Sequence, residues 1–469
     1  MRCARCQGAW YCAPAPEASS HFPSRLPNND NKETGMNTQV SQDDNAMYLK
    51  ISWRIMPLLL VAYVVAFLDR INVGYAQLQM KETLAFSDTV YAMGAGVFFI
   101  GYLLFEVPSN LMLERVGVRR TLLRIMVCWG LVAMAMMFVR TPLQFYVLRF
   151  LLGAFEAGFT PGALLYLTYW YPPARRARMI AVFLLGAIIA ALVAGPLSGA
   201  IMKYLHGTND WHGWQWLFLL QGLPAPLLGL LAWYVLVDRP EQANWLSADE
   251  KARLRQQFDE QAEAPGSARH GSLLGLLGDF KVWALSLVYL LMVAGTYSMV
   301  FWTPTLIRSW GVSDVLQIGV YATVPQLFAI AGVLLLGRSS DRHRERRWHF
   351  GFGALTAMTG LLVITLGQGQ LGISLAGLCL AILGIAAVTP VFFALASEYL
   401  PRASVAAGIA LISSIGNLGG AISPPITTAL NTASGGTSYS LLFVMGLYLL
   451  ATCIVLTVVR PAAIPLRAA

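Results

Sequence analysis

Charge is scarce in this chain. Asp, Glu, Lys and Arg make up 12% of its 469 residues, against roughly 25% in an average soluble domain. Apolar residues make up 57%, and the mean hydropathy is +0.58. A soluble core cannot hide that much apolar surface at this length, so lipid is the expected solvent. Period-2 alternation is missing too, which argues against a transmembrane barrel. Cysteine is sparse, with six in all. Cys128, Cys379 and Cys453 fall in three different apolar runs, so no disulfide framework is implied. Cys3, Cys6 and Cys12 would need a fourth ligand to hold zinc, and His21 is the nearby candidate. The segment reads instead as a disordered tail, or as residues ahead of a start at Met36. Residues 1–50 lack the continuous apolar stretch of a secretory signal. No metal cluster, catalytic triad or phosphate loop stands in the chain, so no enzyme, metal or cofactor is expected.

Apolar runs of about 20 residues, the length that crosses a bilayer as helix, are abundant. They lie at 55–78, 90–112, 121–139, 144–168, 179–202 and 216–237, then at 282–307, 316–337, 350–367, 373–397, 404–430 and 439–460. The expected fold is an all-α membrane protein of twelve transmembrane helices in two pseudo-symmetric six-helix halves. The halves span 51–237 and 282–460, around a polar linker at 238–281, with tails at 1–50 and 461–469. Within the linker, Ser247 is placed to cap a short helix, with Glu250 at the capping-box position, and Pro265-Gly266-Ser267 to end it.

The net charge of +9 could suggest nucleic acid, but its placement argues otherwise. Arg115, Arg119, Arg120 and Arg124 follow the second run. Arg175, Arg176 and Arg178 follow the fourth. Arg338, Arg342, Arg344, Arg346 and Arg347 follow the eighth. The loops after odd runs hold only Lys81, Arg140, Lys203 and Arg308. This positive-inside pattern puts both termini and the linker in the cytoplasm.

The halves repeat each other. Asn110-Leu-Met-Leu-Glu114-Arg115 with Arg119-Arg120 recurs as Gly337-Arg-Ser-Ser-Asp341-Arg342 with Arg346-Arg347, 227 positions later. Tyr171 and Pro173 recur as Tyr399 and Pro401, and Pro196 as Pro424, at a shift of 228. Parallel halves suit rocking about a central site. The acid–arginine loops, Glu114/Arg115/Arg119/Arg120 and Asp341/Arg342/Arg346/Arg347, suit a gate: a helix-end carboxylate pairs with arginines on the next helix and releases them.

Four charges in the apolar runs carry the argument, Asp69, Arg70, Arg149 and Glu156, while Glu106 lies near the cytoplasmic end of its run. Each costs roughly 2.5–3.5 kcal/mol at a helix centre, so such residues usually face a bundle interior or a cavity. Arg149 and Glu156 are two turns apart on one face, roughly 10 Å along the axis. Buried carboxylates favour protonation while a neighbouring Arg opposes it, and a guanidinium matches a carboxylate bidentately. Asp69 and Glu156 are therefore expected to exchange protons, and Arg70 and Arg149 to bind an anion. At the 227–228 shift these four fall on Thr296, Tyr297, Gly377 and Gly384, so the charges belong to the first half alone. The second half is expected to supply shape and neutral hydrogen bonds through Tyr297, Trp302, Phe392, Phe393, Ser413 and Asn417.

The two acid–arginine loops resemble the signature of the major facilitator superfamily, over roughly residues 50–460. Several segments are similar to its anion:cation symporter family: Phe67-Leu-Asp69-Arg70-Ile-Asn72-Val-Gly74, Gly101-Tyr102 through Asn110, Leu148-Arg149 through Glu156-Ala-Gly158, Trp214-Gln-Trp216, Tyr297 through Trp302, and Ser414 through Gly420. That family includes bacterial permeases for tartrate, phthalate, hydroxyphenylacetate and sugar acids. The resemblance implies proton coupling at the acids, anion binding at the arginines and a substrate contact at Tyr102. It further implies a monomeric importer of a small organic carboxylate in a bacterial inner membrane. Phe67, Ala187 and Ser413 replace a tyrosine, a glutamine and an asparagine of the sugar-acid carriers, which points to a smaller or more aromatic carboxylate. Gly195-Pro196-Leu-Ser-Gly199 partly matches the glycine–proline motif of drug antiporters, with Ala200 in place of its last glycine. An efflux antiporter is therefore the alternative expectation.

Overall fold

In the computed structural model, residues 30–262, 276–367, 369–400 and 405–458 are described. The cysteine-containing segment at 3–12, the Pro265–Ser267 break and the tail from 461 lie outside them. The chain divides into two units, Met1–Lys50 and Ile51–Ala469. In the first, the described residues from Asp30 onward are helical.

The second unit is built of helices, with no strand among the described residues. Among the described residues, twelve helices are long and apolar enough to cross a membrane. Spans 1 to 6 are Asp43–Leu84, Asp88–Leu113, Val118–Phe138, Pro142–Trp170, Arg175–Tyr204 and Gly213–Val235. Spans 7 to 12 are Phe280–Ser309, Val315–His343, Arg347–Leu366, Leu371–Tyr399, Ala407–Ser434 and Ser438–Thr457. All twelve expected runs are found.

Local signals in the sequence start several of these helices. Thr141 and Gln144 form a capping box before span 4. Asp279 accepts from Lys281 N at 2.9 Å before span 7, and Asp314 accepts from Leu316 N and Gln317 N before span 8. Such caps satisfy amides that a helix start leaves without partners. Between spans 6 and 7, the helix Ala248–Ala262 begins as its box predicts. Ser247 Oγ accepts from Glu250 N, and Glu250 Oε2 accepts from Ser247 N, at 3.1 and 2.7 Å. Spans 4 and 6 are stepped near Pro161 and Pro224, which lack the N–H that a continuous helix requires. The step in span 4 comes directly after Glu156.

Packing repeats between the halves. Span 2 packs on span 4, and span 3 on spans 4 and 6; likewise span 8 packs on span 10, and span 9 on spans 10 and 12. The halves meet through span 7 on the end of span 1, span 8 on span 5, and span 11 on span 2. Glycine permits these approaches. A Cβ on Gly319 would stand 2.0 Å from the Gly195 carbonyl oxygen, and one on Gly96 would stand 2.6 Å from that of Ala421. Polar ties accompany them. Gln77 Nε2 donates to Phe301 O and Thr305 Oγ1, each at 3.0 Å. Arg308 donates to Leu78 O and pairs with Glu82 at 2.5 Å, and Lys203 pairs with Asp314. These ties form a seam on the face that carries the short loops between spans 1 and 2, 5 and 6, and 7 and 8.

Candidate functional site

The four intramembrane charges converge. Asp69 and Arg70 end the first helical stretch of span 1, just before its interruption at Asn72. Arg149 and Glu156 share one face of span 4, which ends its first stretch at Glu156. Asp69, Arg149 and Glu156 are buried, each with 2% of its surface exposed or less. Arg70 Nη2 donates to Glu156 Oε1 at 2.5 Å. Its Nη1 donates to the hydroxyl of Tyr297, in the other half, at 3.3 Å. Tyr297 lies 227 positions from Arg70, so the two are equivalents under the internal repeat. Equivalents can touch only near the axis that relates the halves, which sets this contact at the centre.

Asp69 has a different partner. The indole N–H of Trp129, on span 3, donates to Asp69 Oδ2 at 2.9 Å, with both residues buried. Adjacent helix positions diverge by about 100°, so Asp69 turns into the first half while Arg70 faces the second. Arg149 donates from Nε to Gly94 O at 3.2 Å. Phe98 separates the like charges: its ring centroid is 4.9 Å from the Arg149 guanidinium carbon and 5.4 Å from that of Arg70. The negative face of an aromatic ring attracts a cation, so one ring partly offsets the crowding of two. Tyr102 lies 5.1 Å and Phe67 5.9 Å from the Arg70 carbon.

Buried polar atoms are normally bonded. Here, among the described residues, Asp69 Oδ1, Glu156 Oε2, Arg70 Nε, Arg149 Nη1 and Nη2, and Asn72 Oδ1 are buried without a partner. Two acids and two arginines thus hold spare acceptors and spare donors within one neutral cluster. Such a cluster can exchange protons and can bind an anion by substituting one carboxylate for another.

The second half brings aromatics. Tyr297 packs against Phe99 at 4.5 Å and stacks on Phe301 at 5.6 Å. Phe393 packs with Tyr289 at 5.0 Å and Phe392 at 5.5 Å, and Tyr289 stacks on Phe392. A Cβ on Gly416 would stand 2.0 Å from the Tyr289 ring. Ser413 and Asn417, half-buried, share the Gly416 face of span 11. Trp302 is buried on span 7, five residues beyond Tyr297 and so about 140° around the helix from it. The structure therefore joins Tyr297 and Tyr102 to the charged cluster, groups Phe393 with Tyr289, and sets Trp302 on another face.

The acid–arginine loops differ in their bonding. Arg346 pairs with Asp341 at 2.6 Å and with Glu398, at the end of span 10, at 3.1 Å. Arg347 donates to Leu456 O, and Arg342 is exposed. In the first half, Arg119 donates from Nε to Trp233 O at 3.0 Å, while its backbone N–H donates to Asp238. Arg119 thus caps the end of span 6. Arg115 and Arg120 are exposed, and the side chain of Glu114 lies outside the described residues.

Counting intramembrane charges found Asp69, Arg70, Arg149 and Glu156 but missed Trp129, Phe98 and Tyr289. An aromatic in an apolar run carries no mark of what it faces. One signal did exist: Phe98 is four residues before Tyr102, hence on its face.

The family model described as Major Facilitator Superfamily matches residues 59–424 and 313–468. The chain is 42% identical to the putative metabolite transport protein NicT of Pseudomonas putida, over 92% of this chain and 98% of that one. It is 43% identical to a putative tartrate transporter of Agrobacterium vitis, over 88% and 94%. It is 41% identical to a quinolone resistance transporter of Acinetobacter baumannii, over 80% and 86%. In fold it is similar to a bacterial homolog of the human lysosomal transporter Spinster, with a TM-score of 0.71, 17% identity, and coverage of 86% and 95%.

Proposed function

Because the chain belongs to the major facilitator superfamily, and is therefore a multi-pass membrane transporter and not an enzyme, we propose that it carries an organic carboxylate together with protons across a bacterial inner membrane. The observation that carries this reading is the position of Arg70. It holds Glu156 of its own half and Tyr297 of the other.

A guanidinium fork binds a carboxylate bidentately. An arriving anion competes with Glu156 for Arg70, and Arg149 offers two further free donors. Glu156, once displaced, takes a proton, and Asp69 is the second proton carrier. The loaded site is then close to neutral, which lets the halves close over it without burying net charge. Phe98, Tyr102, Tyr297 and Phe393 favour an anion with a flat apolar body over a polyhydroxylated one. Tyr297, Ser413 and Asn417 supply neutral hydrogen bonds from the second half, while Trp302, on another face of span 7, stands apart from the site.

The rest of the reading follows the repeat. The halves 51–237 and 282–460 rock about the Arg70–Tyr297 contact, with 238–281 as a spacer. In this reading the arginine loops and both termini face the cytoplasm, which makes the seam the outer gate. Arg346, with Asp341 and Glu398, and the matched loop of Glu114, Arg115, Arg119 and Arg120 form the inner gate, with Arg342 and Arg347 beside it. The carrier acts as a monomer.

Two observations favour a second reading, an efflux antiporter: the quinolone-resistance relative and the partial glycine–proline motif. Gly195 of that motif serves here in packing on Gly319.

Uptake into proteoliposomes tests both readings. A panel of aromatic and hydroxylated carboxylates, and a quinolone, is offered with and without an inward proton gradient. Wild type is expected to concentrate a carboxylate only with the gradient. Asp69→Asn is expected to abolish that dependence, and Arg70→Ala to abolish carboxylate uptake. Gradient-indifferent uptake by wild type would refute symport. Proton-driven quinolone movement unaffected by Arg70→Ala would establish the antiporter.

A further inference from the structure

Away from the central site, spans 8, 9 and 10 enclose a cleft of about 500 Å³. Span 10 forms its floor with Leu383 and Ala387. Gly332 and Leu335 of span 8 form one wall, and Phe352 and Thr356 of span 9 the other. Leu335 and Phe352 are exposed, so the cleft opens on the outer, lipid-facing surface of the bundle. Gly332 deepens it: with no Cβ, span 8 settles against the Leu383 carbonyl, 2.5 Å from where a Cβ would stand.

Among the polar side chains that line the cleft, those of Thr356, Ser339 and His349 are bonded within the protein. The Thr356 hydroxyl donates to Phe352 O at 2.9 Å. His349 bonds Ser339 Oγ through Nε2 at 3.0 Å and Glu345 through Nδ1 at 2.9 Å. A shaft whose donors and acceptors are spent accepts hydrocarbon, and its lining loses dispersion contacts when nothing fills it.

The mouth has the opposite character. Ser339, Trp348 and His349 mark it, at the arginine-rich end of spans 8 and 9. Leu335, Ser339 and Arg342 are spaced i, i+4, i+7, so Arg342 continues the cleft wall one turn past Ser339. Arg338, one turn from both Leu335 and Arg342, flanks it. Both arginines are exposed, whereas Arg346 and Arg347 are held by Asp341, Glu398 and the Leu456 carbonyl. Trp348 is 70% exposed at the same level, where aromatic side chains anchor at a membrane–water interface. Basic pockets between transmembrane helices bind anionic head groups.

We propose that this cleft is a binding site for one anionic phospholipid, with an acyl chain between spans 8 and 9 and the phosphate on Arg342 and Arg338. Charge complementarity selects the occupant: Arg338 and Arg342, exposed and without a partner among the described residues, stand at the open end of an otherwise apolar slot. Span 8 also packs across the halves on span 5, so a lipid lodged behind it bears on a helix of the seam.

The purified, delipidated transporter in detergent provides the test, with phosphatidylglycerol or phosphatidylethanolamine added and retained lipid counted by native mass spectrometry. Wild type is expected to retain one phosphatidylglycerol in preference to phosphatidylethanolamine. Thr356→Trp, which fills the shaft, and Ala387→Leu, which raises its floor, should each lose that molecule. The paired Arg338→Gln and Arg342→Gln changes should weaken phosphatidylglycerol binding roughly tenfold or more and erase the preference. Equal retention of the two lipids by wild type, or undiminished phosphatidylglycerol in both shaft variants, would overturn the proposal. Melting of each variant without lipid identifies misfolding, and the arginine pair, which leaves the shaft intact, is read independently of it.

Discussion

Trp129 and Asp69 meet where neither can reach water, and the indole N–H is a donor only. It can hold a carboxylate oxygen but can take no proton from it. Asp69 Oδ2 is therefore tied down, while Oδ1 has no partner among the described residues; in the proposed mechanism Oδ1 is the atom that takes the proton. Phe98 plays the matching part for the cations, as a ring shared by Arg70 and Arg149. A hydrogen bond to a charged group contributes about 1.5–3 kcal/mol. Trp129→Phe keeps the bulk that packs on Phe159 and removes only that donor. It is expected to cut gradient-driven uptake by about tenfold or more, with the protein still present at normal level in the membrane. Rates for Trp129→Phe and wild type, measured across external pH, check this; coincident profiles would show that the indole has no part in coupling.

Glycine decides how closely the helices of the two halves can approach. Gly195 and Gly319 face each other so that a Cβ on either would strike the other's carbonyl oxygen, at 2.1 and 2.0 Å. No rotamer relieves such a clash, because it involves backbone on both sides. Gly319→Val should therefore force spans 5 and 8 apart and leave the seam open. Thr305, which accepts from Gln77 inside the seam, reports on it. As Thr305→Cys it is expected to react faster with an impermeant thiol reagent when Gly319→Val is present, while uptake falls below about a tenth. An unchanged labelling rate would show that the seam does not depend on this crossing.

Across the whole molecule, the seam is tied by exposed charge as well as by packing. The Asp314 carboxyl lies below the ordinary carboxylate range, first because Lys203 bonds it and then because Gln317 N and Leu316 N donate to it. The sign follows. A group with a depressed value in the closed seam stabilises that state fully above its ordinary value, and the contribution fades as pH falls through the depressed one. The seam should thus hold through mildly acid conditions and loosen only below the usual carboxylate range. Thiol labelling of Thr305→Cys against pH measures this, and Asp314→Asn should label faster at neutral pH and lose the acid-side dependence.

Much of this protein is legible in the sequence, because lipid imposes a length and an apolarity on every crossing helix. The twelve spans, the duplication, the Ser247 box of the linker helix and the four intramembrane charges all follow from local pattern, as does the superfamily. What local pattern does not carry is the pairing of residues on different helices. Asp69 and Arg70 are neighbours in the chain, yet one turns to Trp129, 60 positions away, and the other to Glu156 and Tyr297, 86 and 227 away. The two arginine loops match in offset, yet Arg119 caps span 6 while Arg346 pairs with Asp341 and Glu398. The groups that face Arg119 and Arg346 come from other helices, and packing selects them. The sequence by itself determined which residues are too costly to be idle in a membrane. Only the tertiary structure decided their partners, because a buried charge is satisfied by whatever the helix packing brings within hydrogen-bond reach.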